Sequence, residues 1–201
     1  MPVCYIIEGP TCAGKTTLAK ECVKTGRILV PSYCFHVSNV GSHTPAVENL
    51  HYFGEHTPAF IDGESAIDRQ NRILEEYSRL QKEALDRVIH GESIVMDFST
   101  LGVFAFAKAL AHCRRIPPCF PASLLQRPLN EFYAFTECLK CAGAEVYVTV
   151  LCPTPSLIAD RLAYRNRKGD DAWGITLTRQ LSFEYQKAAC EIMIGNAGLS
   201  R

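Results

Sequence analysis

The 201-residue chain has no excess of charge of either sign. Its 21 lysines and arginines balance 21 aspartates and glutamates, for a formal net charge of +0 and a pI of about 7.0. Such a surface carries no global field to draw the protein onto DNA or an anionic membrane. Bulk nucleic-acid binding is therefore not expected, whereas a small anion held by a few local arginines is compatible with it. The chain also lacks any apolar run near the roughly 20 residues that a membrane helix requires. Its first residues, MPVCYIIEGP, have no basic region of the signal-peptide kind. A cytoplasmic protein without a membrane partner is the expectation. No internal repeat or low-complexity stretch is visible, which sets aside solenoids and fibrous folds. Cysteine, by contrast, is plentiful at 10 residues. Cys138-x-x-Cys141 has a spacing that suits zinc, and Cys113 and Cys119 flank a proline-rich turn. A lone Cys-x-x-Cys within a helical pattern is weak as a metal signal. The cysteines are read as ordinary thiols of a reducing compartment.

What the chain does have is an alternation of short apolar runs and longer amphipathic ones. VCYIIEG (3–9), RILVPSY (27–33), SIVMDFS (93–99) and EVYVTVLC (145–152) read as buried strands. Helices are predicted at 15–26, 64–91, 101–113, around LNEFYAFTECLKCAG, at 154–167 and at 175–192. PPCFP (117–121) reads as a break, and 35–63 as one long loop. Strands alternating with helices imply an α/β fold with a parallel sheet of four to five strands flanked by helices. The tail MIGNAGLSR is the only candidate for the fifth strand. Length and pattern fit a single domain over 1–201.

Between the first strand and the first helix lies Gly9-Pro10-Thr11-Cys12-Ala13-Gly14-Lys15-Thr16, followed by Thr17. It fits G-x-x-x-x-G-K-[ST] in the context that this loop's mechanism requires. Its glycines let the backbone curl so that N–H groups face phosphate oxygens, and the next helix adds its positive dipole end. Lys15 is expected to reach the β- and γ-phosphates, and the Thr16 hydroxyl to bind Mg²⁺. ATP with magnesium is the implied cofactor pair. A second stretch, RLAYRNRKGDDAWGITL, carries Arg161, Arg165 and Arg167. Arg161 and Arg165 share a helix face. Arginines folding over a moving phosphoryl group stabilise its charge and exclude water. A lid at about 165–174 is expected to do this.

The order of these features resembles the deoxynucleoside kinase and thymidylate kinase superfamily. IEGPTCAGKTTL is similar to its first strand and loop, and MDFSTLGVFAFAKAL to its acidic-Arg-Ser segment and following helix. LNEFYAFTECL is similar to the helix before its fourth strand, and RLAYRNRKGDDAWGITLTRQLSFEY to its lid and "GIPLEYL"-like helix. The resemblance implies an ATP-dependent phosphotransferase acting on a nucleoside, or alternatively on a nucleoside monophosphate or a modified nucleotide. It implies that Gly9, Gly14, Lys15 and Thr16 hold ATP and magnesium, and that Arg161, Arg165 and Arg167 clamp phosphates. It implies that Asp170 or Asp171 approaches the sugar and Gln70 reads a base edge, for which an amide is suited. Long amphipathic helices would suit a homodimer, as in similar kinases.

Two departures from the family pattern fall at the acceptor side. Ser32 stands where the family places its general-base glutamate, and Asp97-Phe98-Ser99 lacks the family's arginine. Asp97, at the carboxyl end of a strand, is then open to two roles, as the base or as an organiser of the magnesium shell. Asp62 and Glu64 are reserve candidates. Arg69 or Arg72 would serve the extra phosphate of a monophosphate acceptor, and Tyr52, Phe53 and Phe60 could stack on a base. His36, His43, His51 and His56 match no trusted zinc spacing. Two other classes stay open. GPTCAGKT resembles the loop of transfer-RNA prenylating enzymes, but PSYCFHVSNV does not match their next segment. A nucleotide-binding ATPase or switch module without an acceptor would explain the missing glutamate.

Overall fold

The computed structural model describes residues 1–30, 65–115, 121–165 and 174–197. Within them run β1 (Val3–Glu8), α1 (Lys15–Val23), β2 (Ile28–Val30), α2 (Ala66–Ile89) and β3 (Ile94–Asp97). Then follow α3 (Thr100–His112), α4 (Ala122–Cys141), β4 (Glu145–Val150), α5 (Pro155–Arg165) and α6 (Gly174–Ala197). Among the described residues the sheet has four strands in the order β2-β3-β1-β4. All three pairings are parallel. The predicted α/β architecture holds.

The strand alternation sends side chains to two faces. Ile7, Leu29 and Val95 point to the face covered by α1, where they meet Ala19. Cys4, Ile6, Ile94 and Met96 point to the other face, beneath α2, α3 and α4. Helix α2 turns a stripe of Leu74, Tyr77, Leu80, Ala84 and Val88 inward at helical spacing. Burying each of Leu74, Leu80 and Val88 contributes roughly 1.5–3 kcal/mol. Ser65 caps α2 by accepting from the Asp68 N–H at 3.1 Å. Helix α6 lies on α3 through Leu181, Tyr185, Ala188 and Ala189 against Ala105 and Ala109.

Two boundaries differ from the sequence reading by five residues or more. Helix α4 begins at Ala122, seven residues before Leu129, and carries Pro128 inside it. Proline costs a hydrogen bond there. Pro128, Leu129 and Phe132 are buried, and this packing prevails over the local break signal. The tail is the second difference. Helix α6 continues to Ala197, so Met193–Ala197 form no fifth strand. Ile192 and Met193 pack against the main core, which carries the helix past the point where its sequence turns glycine-rich.

Register positions the site. Ile7 of β1 lies opposite Asp97 of β3. The Phe98 N–H donates to the Ile7 carbonyl at 3.0 Å. The loop leaving β1 and the residues leaving β3 therefore emerge side by side, at the carboxyl edge where open parallel sheets bind ligands.

Candidate phosphate-binding site

Gly9 opens the loop with φ +152, where side chains are rarely tolerated. A Cβ there would lie 3.0 Å from the Ala13 Cβ and 3.1 Å from the Leu151 carbonyl oxygen, so only glycine lets the loop close on the exit of β4. Pro10 and Ala13 are buried, and Thr11 and Thr17 are exposed. Cys12 takes φ 61 at the loop's crest. Gly14 is the N-cap of α1, and no side chain caps that helix. Its first amides and positive dipole end suit an anion. Lys15 curls back over the loop, its Nζ donating to the carbonyls of Gly9 at 2.7 Å and Pro10 at 2.9 Å. The same ammonium lies 5.4 Å from the centroid of the Phe98 ring.

Thr16 and Asp97 are in direct contact. The Thr16 hydroxyl donates to Asp97 Oδ2 at 2.5 Å. Asp97 is only 1% exposed, and its Oδ1 is buried with no hydrogen-bond partner among the described residues. Burial pushes its pKa up from the usual carboxylate value, against the pull of Lys15, the Thr16 hydroxyl and Lys20.

The sequence reading missed Glu8. It ends β1 directly before Gly9 and is fully buried. Ser99 Oγ donates to its Oε1 at 2.5 Å, and the Tyr185 hydroxyl to its Oε2 at 3.0 Å. Burial raises its pKa from 4.5 to about 7, tempered by those two hydroxyls and by Lys15. Its signal was a charged residue closing an apolar strand, and its partners lie 91 and 177 residues away. Phe98, at the position of the family's arginine, sits at φ 87. Its ring packs on Tyr77 and Tyr185, with centroids 5.1 and 6.4 Å apart.

Arg161 reaches the loop. Its Nη1 donates to the carbonyls of Cys12 at 3.1 Å and Ala13 at 3.2 Å. The backbone of Arg165 lies one turn further along α5, at its last residue. Arg167, Asp170 and Asp171 lie outside the described residues, as do Tyr52, Phe53, Phe60, Ser32, Asp62, Glu64 and the four loop histidines. Arg69 and Gln70 sit near the start of α2. The Nε2 of Gln70 is buried and has no hydrogen-bond partner among the described residues. None of the described helices is long and apolar enough to cross a membrane.

No protein-family model and no curated protein matches the chain. Similarity appears among solved structures. Deoxyadenosine kinase from M. mycoides, with products dCMP and a flexible dCDP bound, aligns with a TM-score of 0.56 at 17% identity, over 92% of this chain and 82% of that one. A deoxyadenosine kinase structure from M. mycoides with bound dATP aligns with a TM-score of 0.52 at 15% identity, over 96% and 87%. The chain has the P-loop deoxynucleoside kinase-like fold.

Proposed function

We propose that the protein is a kinase that moves the γ-phosphoryl group of ATP to a deoxynucleoside-like acceptor. The observation that carries this reading is the meeting of Lys15, Thr16 and Asp97 at the mouth of the loop, with the Thr16 hydroxyl 2.5 Å from Asp97. The fold shared with a kinase solved with dATP bound supports it.

Each residue then has a task. The backbone N–H groups of Thr11 to Thr16 and the dipole of α1 bind the triphosphate tail. Thr17 extends this cradle into the helix. Lys15 exchanges its two carbonyl partners for the β- and γ-phosphates. Thr16 and Asp97 form a hard-oxygen pair that fits Mg²⁺, and the orphaned Asp97 Oδ1 is the atom whose burial such an ion would explain. When bound, the ion supplies positive charge to the phosphates in the transition state. Arg161, already at the loop, joins Arg165 and Arg167 in covering the transferred group and excluding water. Asp170 takes the sugar, Gln70 turns its amide to the base edge, Tyr52 stacks on the base, and Arg69 serves the extra phosphate where the acceptor is a monophosphate. Phosphoryl transfer through a loose transition state rests chiefly on positioning and charge. As the new P–O bond forms and the bond to ADP breaks, the acceptor hydroxyl's proton passes to a phosphoryl oxygen and on to water, which is compatible with serine at position 32.

The test is to incubate the protein with Mg·ATP and a panel of deoxynucleosides, ribonucleosides and monophosphates. ADP release that depends on an acceptor, with a product heavier by one phosphate, supports the proposal. A monophosphate acceptor would move the assignment to a nucleotide kinase. ATP turnover indifferent to every acceptor would overturn it in favour of an ATPase or switch module.

A further inference from the structure

Helix α6 meets the phosphate loop through a buried chain of hydrogen bonds. The Tyr185 hydroxyl accepts from the Gly9 N–H at 3.3 Å and donates to Glu8 Oε2 at 3.0 Å. Glu8 Oε1 takes the Ser99 hydroxyl at 2.5 Å. Ser99 Oγ accepts from the Leu101 N–H at 3.2 Å and so caps α3. Three elements thus converge on one carboxyl group: the end of β1, the start of α3 and the middle of α6.

The packing around this carboxyl is specific to it. A Cβ on Gly102 would lie 2.5 Å from Glu8 Oε2 and 2.3 Å from the Phe98 ring, so α3 keeps a glycine where Glu8 and Phe98 enter. Buried acids are costly, and apolar residues of like volume generally do as well or better for stability. Stability alone therefore gives this group no advantage at that position. Glu8 and Tyr185 are 0% and 1% exposed, so neither can touch a ligand in the loop. What they do touch is the loop's first amide.

We propose that Glu8 and Tyr185 are a positioning pair, which fixes Gly9 to helix α6 and thereby holds the phosphate loop in its ligand-binding curve. Arg161 on α5 grips the same loop at the Cys12 and Ala13 carbonyls. Helices α5 and α6 pack against each other. The loop is therefore held at its opening and at its crest by one helix pair. This inference rests on the reading of the loop as a triphosphate cradle.

Hydrogen exchange of the unliganded protein tests the pair without relying on that reading. Tyr185→Phe removes the hydroxyl and leaves Glu8 Oε2 and the Gly9 amide unpaired. The amides of Gly9 and of Thr11 to Gly14 should then exchange roughly tenfold faster or more, while those of α4 stay unchanged. Mg·ATP should bind weaker by a similar factor. Glu8→Gln, which keeps the shape and one accepting oxygen, should restore much of the protection that Glu8→Ala loses. Unchanged loop exchange in Tyr185→Phe, or an equal rise in α4, would overturn the pairing. Should Tyr185→Phe not fold, the comparison of Glu8→Gln with Glu8→Ala decides by the same readout. Failure of the wild-type protein to bind Mg·ATP would remove the kinase reading, and the exchange result would still decide the pair.

Discussion

Replacing Glu8 by glutamine isolates the electrostatic cost of a carboxyl buried at the end of β1. In the folded protein its pKa is raised from 4.5 to about 7, with burial as the main cause. Below about pH 4.5 the group is protonated in both folded and unfolded chains. Between about pH 4.5 and 7 the unfolded chain has lost the proton and the folded protein has kept it. The folded state then binds more protons, so stability falls as pH rises through this window. Above about pH 7 both states are ionised and the loss is complete. The distance from 4.5 to about 7 corresponds to roughly 3 kcal/mol. Asp97 is shifted in the same direction, but it is common to both proteins and cancels in the comparison. Urea unfolding from about pH 4.5 to about pH 8 is the assay. Wild type should lose roughly 3 kcal/mol more than Glu8→Gln across that range. Parallel curves, within about 0.5 kcal/mol, would refute the assignment of a protonatable buried acid at this position.

Other outcomes follow from the same geometry. Gly102→Ala places a methyl group 2.3 Å from the Phe98 ring and 2.5 Å from Glu8, so both packed side chains must shift. It should destabilise the protein by about 2–3 kcal/mol in thermal or denaturant unfolding. Gln70→Leu removes a buried amide whose Nε2 has no partner among the described residues, so its unfolding midpoint should hold or rise. Its kcat/KM for the acceptor should nevertheless fall roughly tenfold, whereas an unchanged kcat/KM would remove Gln70 from the base site. Arg161→Ala should weaken Mg·ATP roughly tenfold in calorimetric titration, because the Cys12 and Ala13 carbonyls lose their charged donor.

Much of the fold was legible because it is written locally. The apolar strands, the stripe of α2 and the loop between β1 and α1 each carry their signal within one short window. Lys15, Thr16 and Asp97 could be placed at one site because a parallel sheet brings strand ends to one edge. Glu8 could not be assigned a role in this way. Its meaning lies in Ser99 and Tyr185, which only the packing of α3 and α6 brings to it. Phe98 was noticed as a missing arginine, but its place in an aromatic cluster depends on contacts from α2 and α6. The early start of α4 was hidden for a related reason. Pro128 is a break signal in isolation, and only its burial beside Leu129 and Phe132 shows why the helix continues through it. The end of α6 was missed because Ile192 and Met193 are fixed by a distant core.

The central claim is that the loop from Gly9 to Thr16 delivers a terminal phosphoryl group to a nucleoside. The direct measurement follows the label from γ-³²P ATP in the presence of deoxynucleosides, for wild type and for Lys15→Ala. Wild type should move the label onto a nucleoside, and Lys15→Ala should lose that transfer. Label appearing only as inorganic phosphate, or equal transfer by Lys15→Ala, would contradict the account.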